Sequence, residues 1–204
     1  FSHCSIMKNT IELSDVTEGG AELFLYQSGY LTLKGADGEV CFLGFPNAEV
    51  KQALYDIVLP TLTMKRTNEV KSMQANLYTY MSHADLEKGM QTLKALIADV
   101  PYSNKKMKSM NMEERYRLVI STIFNAIGFN GEVERMLSTG RIDAIVTTPK
   151  FIYVLELKLT NNGGVDAAAQ QIIDNRYLEP FKADKRKVIG LAIELDEQGK
   201  GLID

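Results

Sequence analysis

Two neighbouring stretches decide how this chain folds: Gly140-Arg141-Ile142-Asp143-Ala144-Ile145-Val146 and Phe151-Ile152-Tyr153-Val154-Leu155-Glu156-Leu157-Lys158-Leu159. A strand buried on both faces is ordinarily a plain apolar run. The second stretch is such a run, apolar at Phe151, Tyr153, Leu155 and Leu157 on one side and at Ile152 and Val154 on the other. Glu156 and Lys158 interrupt it two residues apart, which sends both side chains to the same face. Charges inside a sheet are costly unless a counter-charge or a metal ion answers them. Asp143, Glu156 and Lys158 are therefore either a structural salt-bridge cluster or a site of chemistry. An exposed strand would alternate apolar and polar positions, and this one does not.

Outward from these strands, the pattern from residue 111 onward is α/β. A helix is expected over 112–127, with Tyr116, Ile120, Ile123, Phe124 and Ile127 on one face and Gly128 ending it. Glu114, three residues after Asn111, has the spacing of a capping box. A strand over 131–136 turns at Ser138-Thr139-Gly140 into the strand of Asp143, and 147–150 connects to the strand of Glu156. The loop 161–164 leads into a helix over 165–176, and 187–193 is a last buried strand. The order α-β-β-β-α-β predicts a mixed sheet flanked by helices.

Upstream, residues 1–20 lack periodicity and read as a tail or linker from an earlier domain, since the start shows neither an initiator Met nor a signal pattern. A short helix over 21–27 precedes a hairpin, strands 30–34 and 39–43 around a turn at 35–38. Asn47 caps a helix over 48–59 that Pro60 is expected to end. Helix, hairpin and helix together resemble a small winged-helix-like element, although Lys34 alone gives the hairpin little basic charge for DNA. Two apolar stripes, Val70/Met73/Leu77/Tyr80 and Leu86/Met90/Leu93/Ile97, predict two helices, with Ser82 and Asp85 as the cap between them. After Pro101 comes a basic loop bearing Lys105, Lys106 and Lys108. The expected division is a tail at 1–20, a helix/β-hairpin/helical connecting region at 21–100, and an α/β domain at 101–204.

Composition narrows the function. With 204 residues, 45% hydrophobic and 24% charged, the chain is an ordinary globular protein with no run of about 20 apolar residues to cross a bilayer. Two isolated cysteines, Cys4 and Cys41, give neither a disulfide framework nor a metal spacing, so they are expected reduced and the protein cytoplasmic. His3 and His83 provide almost no material for a His-based zinc site or a Ser-His-Asp triad. The net charge is −3, divided as −4 over residues 1–100 and +1 over 101–204. The second half is the better place for a polyanionic partner.

Hydrolysis of a phosphodiester needs a nucleophilic water, neutralised phosphate charge and a protonated leaving oxygen, and Mg²⁺ held by carboxylate oxygens supplies much of this. Asp143 and Glu156, on adjacent strands, are the expected ligands, and Lys158 the group that orients or deprotonates the water, or stabilises charge. Glu113 lies on the helix face of Tyr116 and Ile120 and points toward the sheet. Glu134 stands in the strand before Asp143. Gln171, on the helix after the Gly-rich loop, is placed to reach back toward a metal or a phosphate.

These residues resemble the PD-(D/E)XK nuclease superfamily, whose signature is an acidic residue in one strand and Glu-x-Lys in the next. More specifically, residues 111–195 resemble the bacterial nuclease-like domain that follows an AAA-ATPase-like domain. The matching positions are Glu113-x-x-Tyr116, Glu134, Gly140 to Asp143, Tyr153 to Lys158, Gln171-Ile172 and Tyr177. Upstream, 25–33, 43–47 and 100–102 resemble the family's connecting region. The resemblance implies a restriction-endonuclease-like core, Mg²⁺ (or Mn²⁺) held by Asp143 and Glu156 with Glu113 as the helix-borne acid, Lys158 as catalytic lysine, and Gln171 as the downstream helix glutamine. It also implies a nucleic-acid substrate and an upstream AAA-ATPase-like partner domain. This chain itself has no Gly-x-x-x-x-Gly-Lys-Ser/Thr loop. Where the family often has a His after the helix tyrosine, this chain has Arg117. A catalytically silent interaction module on the same fold is the alternative function. The oligomeric state is left open.

Overall fold

A computed structural model describes residues 4–11, 20–100, 111–196 and 201–203. The chain divides into two units, Phe1–Ile57 and Val58–Asp204.

In the first unit, β1 (Cys4–Met7), β2 (Thr32–Asp37) and β3 (Val40–Gly44) form an antiparallel sheet in the order β1-β3-β2. A helical turn α1 (Lys8–Ile11) follows β1, and α2 (Gly20–Gln27) precedes β2. Ile6, Leu23, Leu31, Cys41 and Leu43 form the core of this unit. Cys41 and Leu43 alternate with outward-facing Phe42, as a sheet with one covered face requires. Within the stretch expected as a tail, residues 4–7 pair with β3, and Cys4 and Cys41 are both free thiols. The hairpin turn falls at 38–39 instead of 35–38, because Asp37 pairs directly with Val40. Gly38, at φ +57°, supplies the left-handed residue a two-residue turn needs, and a register shift between Leu33 and Gly35 absorbs the odd residue.

Asn47 caps α3 (Ala48–Thr63) as expected, its Oδ1 accepting from Val50 N–H at 2.9 Å. Pro60 does not end this helix. Proline removes one N–H from a helix, but Leu59 and Thr63 are buried and the Thr63 hydroxyl donates to the Leu59 carbonyl at 2.7 Å. Burial holds the last turn that local propensity would have released.

In the second unit, α4 (Thr67–His83) and α5 (Leu86–Ile97) form a helical hairpin. Asp85, not Ser82, is the N-cap, accepting from Lys88 N–H, while Ser82 lies inside α4. A Cβ at Gly89 would stand 2.8 Å from Met81 Sδ, so glycine permits the close approach of the two helices. The basic stretch with Lys105, Lys106 and Lys108 lies outside the described residues.

Next come α6 (Met112–Ala126), β4 (Asn130–Leu137), β5 (Gly140–Thr147), β6 (Phe151–Leu159), α7 (Gly164–Asp174) and β7 (Lys187–Leu195). The sheet order is β4-β5-β6-β7, antiparallel except for the parallel β6–β7 pair across the α7 connection. This is the expected mixed sheet of a restriction-endonuclease-like core. Asn111 and Glu114 close a full capping box on α6. β6 is buried along both faces: Ile152 and Val154 pack with Ile145, Ile172, Tyr177 and Phe181, and the Tyr153 hydroxyl donates to Met81 O of α4 at 2.6 Å.

Candidate active site

The β5–β6 ladder runs as far as Ala144↔Leu155, one step short of Asp143 and Glu156. There a side chain takes over from the backbone. Asp143 Oδ2 accepts the Leu157 N–H at 2.9 Å, satisfying a main-chain donor where the two strands part. Asp143 and Glu156 are 5% and 1% exposed, so neither carboxylate has much water to solvate it.

Their proton affinities show the strain of this burial. Desolvation raises Asp143, against the Leu157 N–H and the Arg117 and Lys158 charges that favour the anion. Desolvation first, and then the neighbouring Asp143 charge, push Glu156 up to about 7, against Lys158 and Arg117. Lys158 Nζ donates to Glu156 Oε1 at 3.0 Å. Glu156 Oε2 is buried with no hydrogen-bond partner among the described residues. A buried charged oxygen left unpaired is expensive and calls for an explanation.

The expected helix acid, Glu113, reaches the sheet. Its Oε1 accepts from Leu159 N–H and from Asn162 Nδ2, both at 3.2 Å, one residue beyond Lys158. Its charge contributes to the raised Asp143, but its hydrogen bonds go to the end of β6 and the turn that follows. Gln171 stands farther back. Its Nε2 donates to the Tyr177 hydroxyl at 3.1 Å, and that hydroxyl donates to Arg141 O at 2.8 Å. Gln171 thus supports the backbone two residues before Asp143, with no described contact to Asp143 or Glu156. Asn175 Nδ2 joins the same hydroxyl, and Gly140 leaves room for both groups.

The least anticipated member is Arg117. It is 4% exposed, and its guanidinium pairs with Asp143 Oδ1 at 3.1 Å and with Glu134 Oε1. Glu134 sits at φ +55°, a conformation rare for a residue with a side chain, between the paired positions Val133↔Ala144 and Arg135↔Ile142. That register sets it opposite Asp143, and Arg141 holds it as well, at 3.2 Å. One sequence signal existed: Arg117 follows Glu113 by four residues, one turn along the same helix face.

Among the described residues, no three His, Cys, Asp or Glu side chains converge as a metal-holding group. The donor chemistry at Asp143 and Glu156 nevertheless suits a hard divalent ion: two buried carboxylates on neighbouring strands, one with an orphaned oxygen. The residues present fit such an ion.

Comparison with known proteins agrees with this geometry. Residues 111–203 match the PD-(D/E)XK nuclease superfamily. An uncharacterized protein in the vnfD 5' region of Azotobacter chroococcum mcd 1 is 27% identical over 213 aligned residues. The alignment takes in 96% of this chain but 38% of that protein, so the chain spans little more than a third of that relative's length. No solved structure matches the chain.

Proposed function

We propose that residues 111–203 form a Mg²⁺- or Mn²⁺-dependent phosphodiesterase acting on DNA or RNA. The observation that carries the reading is the convergence of Asp143, Glu156 and Lys158 at the parting of β5 and β6, with the buried Oε2 of Glu156 lacking a partner among the described residues. Asp143 and Glu156 are the residues that hold the ion, with Glu113 beside them. A bound divalent ion supplies charge neutralisation at the phosphate and a more acidic water. Lys158 holds its ammonium beside Glu156, in position to orient an attacking water or to meet negative charge growing on the phosphate. Gln171, through Tyr177 and Arg141 O, keeps the strand of Asp143 in place.

The wider setting is part of the same proposal: a cytoplasmic protein in which an AAA-ATPase-like domain precedes this module. The resemblance of the connecting region supports it.

The assay is cleavage of plasmid, single-stranded DNA and RNA with Mg²⁺ or Mn²⁺. Wild type is expected to cut at least one of them, and Lys158→Ala to lose at least about a hundredfold in rate. Survival of every substrate with both ions would reject catalysis. It would leave the second reading, a silent nucleic-acid or protein interaction module, which is favoured by one observation: a guanidinium already occupies Asp143 Oδ1.

A further inference from the structure

We propose that Arg117 is a built-in counter-cation of the carboxylate site, one that a divalent ion must displace from Asp143 and that thereby sets metal affinity. The inference deepens the nuclease reading and rests on its metal site. Arg117 comes from α6, yet its guanidinium bridges β4 and β5, joining Glu134 and Asp143. Two carboxylates opposite one another on adjacent antiparallel strands repel, and the cation between them removes that repulsion in the metal-free protein.

The pairing is partial in a way that suits exchange. Only the terminal nitrogens of Arg117 are engaged, and Nε is buried without a hydrogen-bond partner among the described residues. A guanidinium fixed for structure alone normally uses its planar fork more completely. Its two partners also differ. Asp143 is buried, whereas the Glu134 side chain is 46% exposed and is held by Arg141 as well. When Asp143 Oδ1 turns to a metal, Arg117 still has Glu134. Glu134, at a φ of +55°, meets both Arg117 and Arg141 through its Oε1. Lys158, by contrast, is hydrogen-bonded to Glu156, so Arg117 is the cation that contends with a metal for Asp143.

This role predicts opposite signs for its two ends. Removing a unit positive charge this close to a ligand oxygen raises affinity for a dication, so Arg117→Gln is expected to bind Mn²⁺ about tenfold more tightly than wild type. Glu134→Gln leaves Arg117 with Asp143 as its principal partner and is expected to weaken Mn²⁺ binding several-fold. In the Arg117→Gln background the same Glu134 change is expected to have little effect, because its action runs through Arg117. A structural arginine gives another outcome: its loss loosens the site and lowers affinity.

The experiment is titration of the chelator-treated chain with Mn²⁺, followed by calorimetry and by loss of the free-ion electron paramagnetic resonance signal. The proteins are wild type, Arg117→Gln, Glu134→Gln, the double variant, and Arg117→Lys in case the glutamine variant fails to fold. Arg117→Lys keeps one charge but spans the two carboxylates poorly, so its affinity is expected to fall between wild type and Arg117→Gln. Tighter binding by the Arg117 variants, with the double-variant pattern above, supports the proposal. Equal or weaker binding by folded Arg117 variants overturns it and leaves the metal site standing. Binding of Mn²⁺ by neither wild type nor Arg117→Gln overturns the metal site and this role together.

Discussion

Replacing Glu156 by glutamine should make the metal-free protein more stable, by a margin that grows as pH rises from 4.5 to about 7 and is full above it. Burial and the Asp143 charge carry this carboxyl from 4.5, its ordinary value, to about 7 in the folded chain. Between those two values the native state keeps a proton that the unfolded state has lost, so stability falls as pH rises through this window. Below it both states are protonated and the carboxyl costs nothing. Above it the native state carries the full cost of a buried anion, ~3 kcal/mol at ~1.4 kcal/mol for each pH unit separating the two values. Glu156 is 1% exposed, so water screens little of this. The amide introduced by Glu156→Gln cannot ionise, and its oxygen can still accept from Lys158. In EDTA at pH 8 the variant is expected to unfold ~6–12 °C above wild type, for a chain of this size. At pH 4 the two should coincide. Calorimetric scans across pH, supported by urea titrations, provide the measurement. A variant no more stable than wild type at pH 8, or an advantage that does not vary with pH, would refute the reasoning. Mn²⁺ should then reverse the order by stabilising wild type alone.

Four further substitutions probe the frame that holds the site. Gly140→Ala places a Cβ 2.9 Å from the Tyr177 hydroxyl at a φ of +153°, so urea unfolding should show a loss of ~1–3 kcal/mol. Tyr153→Phe leaves the Met81 carbonyl without its 2.6 Å donor beside a fully buried ring, a loss of ~1–3 kcal/mol that should also raise amide exchange at the end of α4. Asn111→Ala opens the capping box of α6 at a cost of ~1 kcal/mol, and adding Glu114→Ala should cost less than the sum of the two single losses, since the two hydrogen bonds are reciprocal. Equilibrium denaturation of the two single variants and the double variant gives that comparison.

Local chemistry that is complete within a few residues could be read without coordinates. The Asn111–Glu114 box needs one turn of helix, and the strand of Glu156 announces itself through apolar residues on both faces. Local signals failed where burial overruled them. Pro60 is a helix stop by propensity, but Leu59 and Thr63 are buried and the helix carries on past it. The hairpin turn moved to 38–39 because strand pairing, not the cluster of turn residues, chose the register. Ser82 lost the cap to Asp85 because α4 runs on to His83.

The amino-acid sequence alone determined that this chain carries an α-β-β-β-α-β core with Asp143, Glu156 and Lys158 on its central strands. Period-two burial and the cost of charge in a sheet are properties of consecutive residues. Only the tertiary structure decided what surrounds those charges. Arg117 meets Glu134 and Asp143 across three different elements, Glu113 reaches the end of β6, and Gln171 stops at Tyr177. No spacing along the chain encodes such meetings, because they depend on how a helix lies against a sheet. The same packing withholds water from Glu156 and so sets its proton affinity.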